Sequence, residues 1–86
     1  MAQYKILLTH KAERDLKGID AVQRRRIGQK LQYFIATNDP LVLAVQLTGI
    51  KPPIYRFRIG KYRVFFDIKG NNLRVLSVSL RDKAYR

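Results

Sequence analysis

Residues 54–66 read IYRFRIGKYRVFF, and four cationic side chains fall within positions 56–63: Arg56, Arg58, Lys61 and Arg63. A guanidinium is planar, permanently charged, and presents donors in a fork that matches a phosphate or carboxylate. Three of them on one surface would bind an anion. The tail LRDKAYR adds Arg81 and Tyr85. An aromatic ring among guanidiniums is the combination that stacks a base while its phosphate is held. The chemistry these residue types point to is an RNA site that stacks a base and holds its phosphate.

Whether they converge depends on the strands that carry them. Gly60-Lys61 reads as a two-residue turn of type II′, in which glycine takes positive φ at the first central position. That register pairs Ile59 with Tyr62, Arg58 with Arg63, Phe57 with Val64 and Arg56 with Phe65. One face then carries Tyr55, Phe57, Ile59, Tyr62, Val64 and Phe66 as a layer for helices to cover. The other carries Arg56, Arg58 and Arg63. Two arginines directly opposite each other repel, at a cost on the order of a few tenths of a kcal/mol. The next hairpin differs, because its simplest register sets Asp67 against Arg74, a compensated pair. The competing reading of the arginines is a solvated face with snorkelling side chains. An anion site is favoured because no carboxylate within the first hairpin neutralises them.

The remaining elements follow from periodicity. Residues 3–9 predict a strand, with Tyr4, Ile6 and Leu8 on one face. Thr9 is placed to cap a short helix over 10–18, with Ala12, Leu16 and Ile19 inward and Gly18 at its end. Asp20 caps a second helix that runs to about Thr37, with Gln23 completing a capping-box pattern. Its expected apolar stripe is Val22, Ile27, Leu31, Phe34 and Ile35, while Arg24, Arg25, Arg26 and Lys30 face water. Arg24 and Arg25, with Arg56 and Lys61, are counted as additional RNA-binding candidates. Asn38-Asp39-Pro40 stops the helix. Residues 41–47 fit a short helix or a strand equally. Strands over 54–59, 62–68 and 73–79 complete an α+β arrangement: an N-terminal strand, two helices, then a three-stranded antiparallel meander with the helices on one sheet face. The third meander strand exits at Ser79-Leu80 beside the Gly60-Lys61 end, which starts Arg81 and Tyr85 close to Arg58 and Arg63. The alternative for Tyr85 is a surface aromatic near a terminus.

Composition narrows the class. Eighteen Lys+Arg against six Asp+Glu give a net charge of +12 on 86 residues, with 47% hydrophobic residues and no cysteine. The chain is expected to be one domain over 1–86, with a core and not a disordered tail. So basic a protein suits a polyanion or an acidic partner, the alternative being a solubility charge. Without cysteine there is no disulfide framework and no thiolate site. No apolar run suits a signal peptide or a membrane span, so a cytoplasmic, soluble protein is the expectation. His10, the sole histidine, has no neighbours in sequence for a metal site. Phosphate-binding glycine loops and nucleophile elbows are missing, and the acids are scattered, so no metal or other cofactor is expected.

Over these residues the chain resembles a known family. YRFRIGKYRVFFDIKGNNLRVLSVSLRDKAYR is similar to the C-terminal half of RelE/ParE-superfamily toxins, which typically read YRxRxGxYRVxYxxxxxxxxVxxVxHRxxxYR. KAERDLK with the basic second helix, and QLTGIKPPIYRFRIG, extend the likeness over nearly the whole chain. The resemblance implies a RelE-like fold and a toxin of a type II toxin–antitoxin system, paired with a cognate RelB-like antitoxin. In the RelE branch such a toxin inhibits translation as an mRNA interferase: a ribosome-dependent endonuclease that cuts mRNA in the ribosomal A site by metal-independent attack of a ribose 2′-OH on the adjacent phosphate. In the ParE branch the target is DNA gyrase. A non-catalytic RNA-binding module is a further alternative.

By position, the resemblance makes Arg58, Arg63, Arg81 and Tyr85 catalytic, with Arg56 helping to grip the scissile phosphate. Arg81 would assist the transition state or leaving oxygen, and Tyr85 would stack on a base or move a proton. Some relatives have lysines where Arg56 and Arg58 stand, a histidine at the place of Leu80, or an arginine at that of Thr48. Arginine does not deprotonate in this range, which leaves Tyr85 as the candidate base.

Overall fold

A computed structural model describes residues 4–36 and 44–80. The elements, in order, are β1 (Lys5–Leu8), α1 (His10–Lys17), α2 (Ala21–Ala36), β2 (Val45–Gln46), β3 (Tyr55–Ile59), β4 (Tyr62–Lys69) and β5 (Asn72–Leu80). The strands form one mixed sheet in the order β1-β5-β4-β3-β2, and both helices contribute to the core on one of its faces.

Two features go beyond the expected meander. β1 lies at one edge and runs parallel to β5, pairing Lys5 with Asn72 and Leu8 with Val75. β2 lies at the other edge, antiparallel to β3, with Val45 opposite Arg56 and Gln46 opposite Tyr55. The ambiguous stretch 41–47 therefore includes a short strand at 45–46; positions 41–43 are outside the described residues.

Local chemistry sets the helices. Thr9 is the N-cap of α1, its Oγ1 accepting from the Ala12 amide at 3.1 Å. Gly18 follows α1 with φ −83°, a right-handed conformation, so its place does not depend on glycine's left-handed freedom. Asp20 Oδ1 accepts from the Gln23 amide at 3.0 Å and caps α2. Ile27 and Leu31 are buried, and Phe34 and Ile35 pack beside them. Val22, expected in the same stripe, is 63% exposed. At 3.6 residues per turn it lies about 140° around the helix from Ile27, on the opposite side.

The core is aromatic and β-branched. Phe34 of α2 reaches Phe57 with ring centroids 4.3 Å apart, and Phe57 stacks on Phe66 at 4.4 Å. Val64, Leu73, Val75 and Val78 complete the buried face. Each such side chain contributes about 1.5–3 kcal/mol when fully buried, so this layer holds the hairpin rigid against the helices.

β5 carries a bulge. Phe65 pairs with Ser77 but Phe66 pairs with Val75, so Leu76 is the extra residue. Its backbone is fastened by α1 and its cap. Thr9 Oγ1 donates to the Leu76 carbonyl at 3.0 Å, and the Thr9 amide donates to the Val75 carbonyl at 3.0 Å. The Val78 amide donates to Asp15 Oδ2 at 3.0 Å. A bulge shifts the two-residue alternation by one. Val75 and Val78 thus both face the helices, while Ser77 and Ser79 turn to the opposite face.

Candidate functional site

The β3–β4 hairpin has the register expected from its turn. Ile59 faces Tyr62, Arg58 faces Arg63, Phe57 faces Val64 and Arg56 faces Phe65. Gly60 has φ +59°, and no non-glycine residue among those described has positive φ, which leaves Lys61 outside the left-handed region. Positive φ at the first central position alone is the type II′ signature. Since Phe57, Val64 and Phe66 are in the core, strand alternation puts Arg56, Arg58 and Arg63 together on the sheet face away from the helices. Arg58 and Lys61 are exposed, and Arg56 and Arg63 are half-buried.

This face is not uniformly solvated. Phe65, between Arg56 on β3 and Ser77 on β5, is only 2% exposed. Asp67 is also buried, and both its oxygens are taken by Arg74, at 2.8 Å to Nε and 2.6 Å to Nη2. Those hydrogen bonds, and secondarily the carboxylate charge, raise the Arg74 pKa above the ordinary guanidinium value against partial desolvation. The one described carboxylate on this face is therefore committed away from the hairpin arginines. Ser79 lies opposite Arg63 and Ser77 opposite Phe65. Their hydroxyl oxygens are buried and have no hydrogen-bond partner among the described residues. These serines were missed in the sequence; the signal was apolar spacing that slips from 73 and 75 to 78.

The other candidates divide by position. Arg24 and Arg25 are on α2, across the sheet from the hairpin arginines. Arg24 Nη1 donates to the Leu16 carbonyl at 3.3 Å and the Ile19 carbonyl at 3.5 Å, tying the end of α1 to α2. The structure does not bring these two together with Arg56, Arg58 and Arg63. Arg81 and Tyr85 are outside the described residues. Leu80 pairs with Tyr62, on the helix side. Among the described residues no three His, Cys, Asp or Glu side chains form a metal-ligand group, and no helix is long and apolar enough to cross a membrane.

An array of this kind can hold a phosphate by charge-assisted, forked hydrogen bonds and stabilise an added negative charge on it. It cannot supply a base, because guanidiniums stay protonated.

The model of a family described as the ParE toxin of type II toxin–antitoxin system, parDE, matches residues 6–85. The chain belongs to that family. It is a type II toxin of the RelE/ParE superfamily, and solved structures share its fold. The toxin is 20% identical to a chain of the archaeal RelE–RelB complex from Pyrococcus horikoshii, with a TM-score of 0.75 over 98% of this chain and 100% of that one. It is 24% identical to a chain of the toxin–antitoxin complex RelBE2 from Mycobacterium tuberculosis, with a TM-score of 0.69 over 92% and 99% of the two chains. For the intact RelBE complex of Escherichia coli the identity is 18% and the TM-score 0.73, over 96% and 99%. Comparison with curated protein sequences gave no match.

Proposed function

We propose that this toxin is a ribosome-dependent mRNA endonuclease whose phosphate-holding surface is the arginine face of the β3–β4 hairpin. The observation that supports it is Arg58 directly opposite Arg63, with Arg56 on the same face and Asp67 already engaged by Arg74. A like-charge pair weakens the sheet and is compensated when an anion lies across it. In the proposed reaction the ribose 2′-oxygen forms a bond to the adjacent phosphorus, and the bond from phosphorus to the 5′-oxygen breaks. Arg56, Arg58 and Arg63 bind the phosphate and stabilise its added charge. Arg81 assists the leaving oxygen and Tyr85 moves the proton, roles taken from family resemblance. The partner in the resting state is a cognate antitoxin of RelB type, and solved relatives of the same fold are complexes of RelE with RelB.

Primer extension on mRNA after induction tests this reading, comparing wild type with Arg58→Ala, Arg81→Ala and Tyr85→Phe. Codon-phased cuts are expected for wild type and sharply fewer for each variant. Their absence in wild type would overturn it. The family match itself, to the ParE toxin, favours one second reading, a DNA gyrase-binding inhibitor. Stabilised gyrase–DNA breaks with intact mRNA would establish that instead.

A further inference from the structure

On the helix side of the hairpin tip, α2 and the β3–β4 turn enclose a groove of about 490 Å³ lined by Arg26, Gln29, Lys30, Tyr33, Ile59 and Gly60. Arg26, Lys30 and Tyr33 stand at i, i+4 and i+7, so they share one face of the helix. Tyr33 is 61% exposed, and Lys30 Nζ lies 5.7 Å from the centre of its ring. Ile59 is buried and gives the groove an apolar wall. Packing does not account for a large aromatic held open to water beside Lys30, one turn beyond Arg26, and no acid among the described residues lines the groove.

We infer that this groove is a second nucleic-acid site, which binds single-stranded RNA with one base stacked on Tyr33 and flanking phosphates on Arg26 and Lys30. A flat ring with cations on its flank suits any base and its backbone. An acidic peptide would use the cations but has no need of the ring. Lys61 in the turn adjoins Gly60 of the groove and Arg58 is three residues away on the arginine face, so positive charge continues around the hairpin tip. The groove thus extends the substrate contact beyond the reacting phosphate, and it takes its substrate class from the proposed function.

The test uses the full chain and a short 2′-O-methyl RNA carrying 4-thiouridine, which lacks the 2′-OH needed for cleavage. Photo-crosslinks are expected in tryptic peptide 31–56, with tandem fragmentation placing them at Tyr33 and not at Tyr55. Tyr33→Ala should weaken binding about tenfold, and Tyr33→Phe should stay within about twofold of wild type. Lys30→Gln should lower the salt dependence by about 0.7 in the log–log slope. Because Tyr33 is exposed, these changes are expected to leave folding intact, and a thermal melt verifies it. Unchanged affinity for folded Tyr33→Ala, or polyglutamate competing as well as RNA, would overturn the inference. Neither result bears on mRNA cleavage, which primer extension reads separately.

Discussion

Arg58 and Arg63 are direct cross-strand partners, one residue from either side of the Gly60-Lys61 turn. Side chains so placed have Cβ atoms about 4.5–5.5 Å apart, too close for two cations to be indifferent to each other. The sheet holds them there because the residues flanking them, Phe57, Ile59, Tyr62 and Val64, are all in the core. Sliding either strand by one residue would expose that whole layer.

The pair therefore sets stability against function. Arg58→Thr removes the repulsion and puts a β-branched residue at an exposed strand position. It is expected to stabilise the fold by about 0.2–1 kcal/mol while reducing mRNA cleavage. Urea denaturation and primer extension on the same variant check the two directions. A loss of stability would show that the pair is not repulsive in the folded chain.

A carboxylate shares with Thr9 the task of fastening the bulge in β5. Asp15 receives the Val78 amide at 3.0 Å. Asp15→Ala strands that amide in a partly buried position and is expected to cost about 1–3 kcal/mol. Asp15→Asn keeps an acceptor and should cost less. Denaturation midpoints, with hydrogen exchange at the Val78 amide, distinguish the two variants.

Thr9 has two jobs, capping α1 at Ala12 and donating to Leu76. Thr9→Val, nearly isosteric, loses both and should destabilise by about 1–2 kcal/mol. Thr9→Ser should retain most of that stability, as thermal melts would report.

Two glycines should respond with opposite signs. Gly60 has φ +59°, so alanine there is strained and is expected to destabilise by about 1 kcal/mol or more. Gly28 is inside α2, and a Cβ built on it meets nothing within 4 Å. Gly28→Ala should therefore stabilise by about 0.5–1 kcal/mol through helix propensity. Equilibrium unfolding of both variants tests the contrast.

What the sequence alone determined was whatever depends on neighbours along the chain. The Gly-Lys turn carries its own backbone preference, and so dictated the pairing of Arg58 with Arg63 before any tertiary contact was known. The Thr9 and Asp20 caps, and the opposition of Asp67 to Arg74 across the second turn, are local in the same sense. Long-range relationships were decided by the tertiary structure alone. β1 chose β5, 67 residues away at Lys5 and Asn72, because a parallel pairing has no turn to announce it. The bulge at Leu76 needed Thr9 and Asp15 to take up its backbone groups, and only then did Ser77 and Ser79 join the arginine face. Arg24, counted with the RNA-binding residues from its charge, reached back to the end of α1, while Arg26, Lys30 and Tyr33 lined an open groove. Charge and spacing say which residues can bind an anion; the packing of α2 over the sheet decides which of them are left to do it.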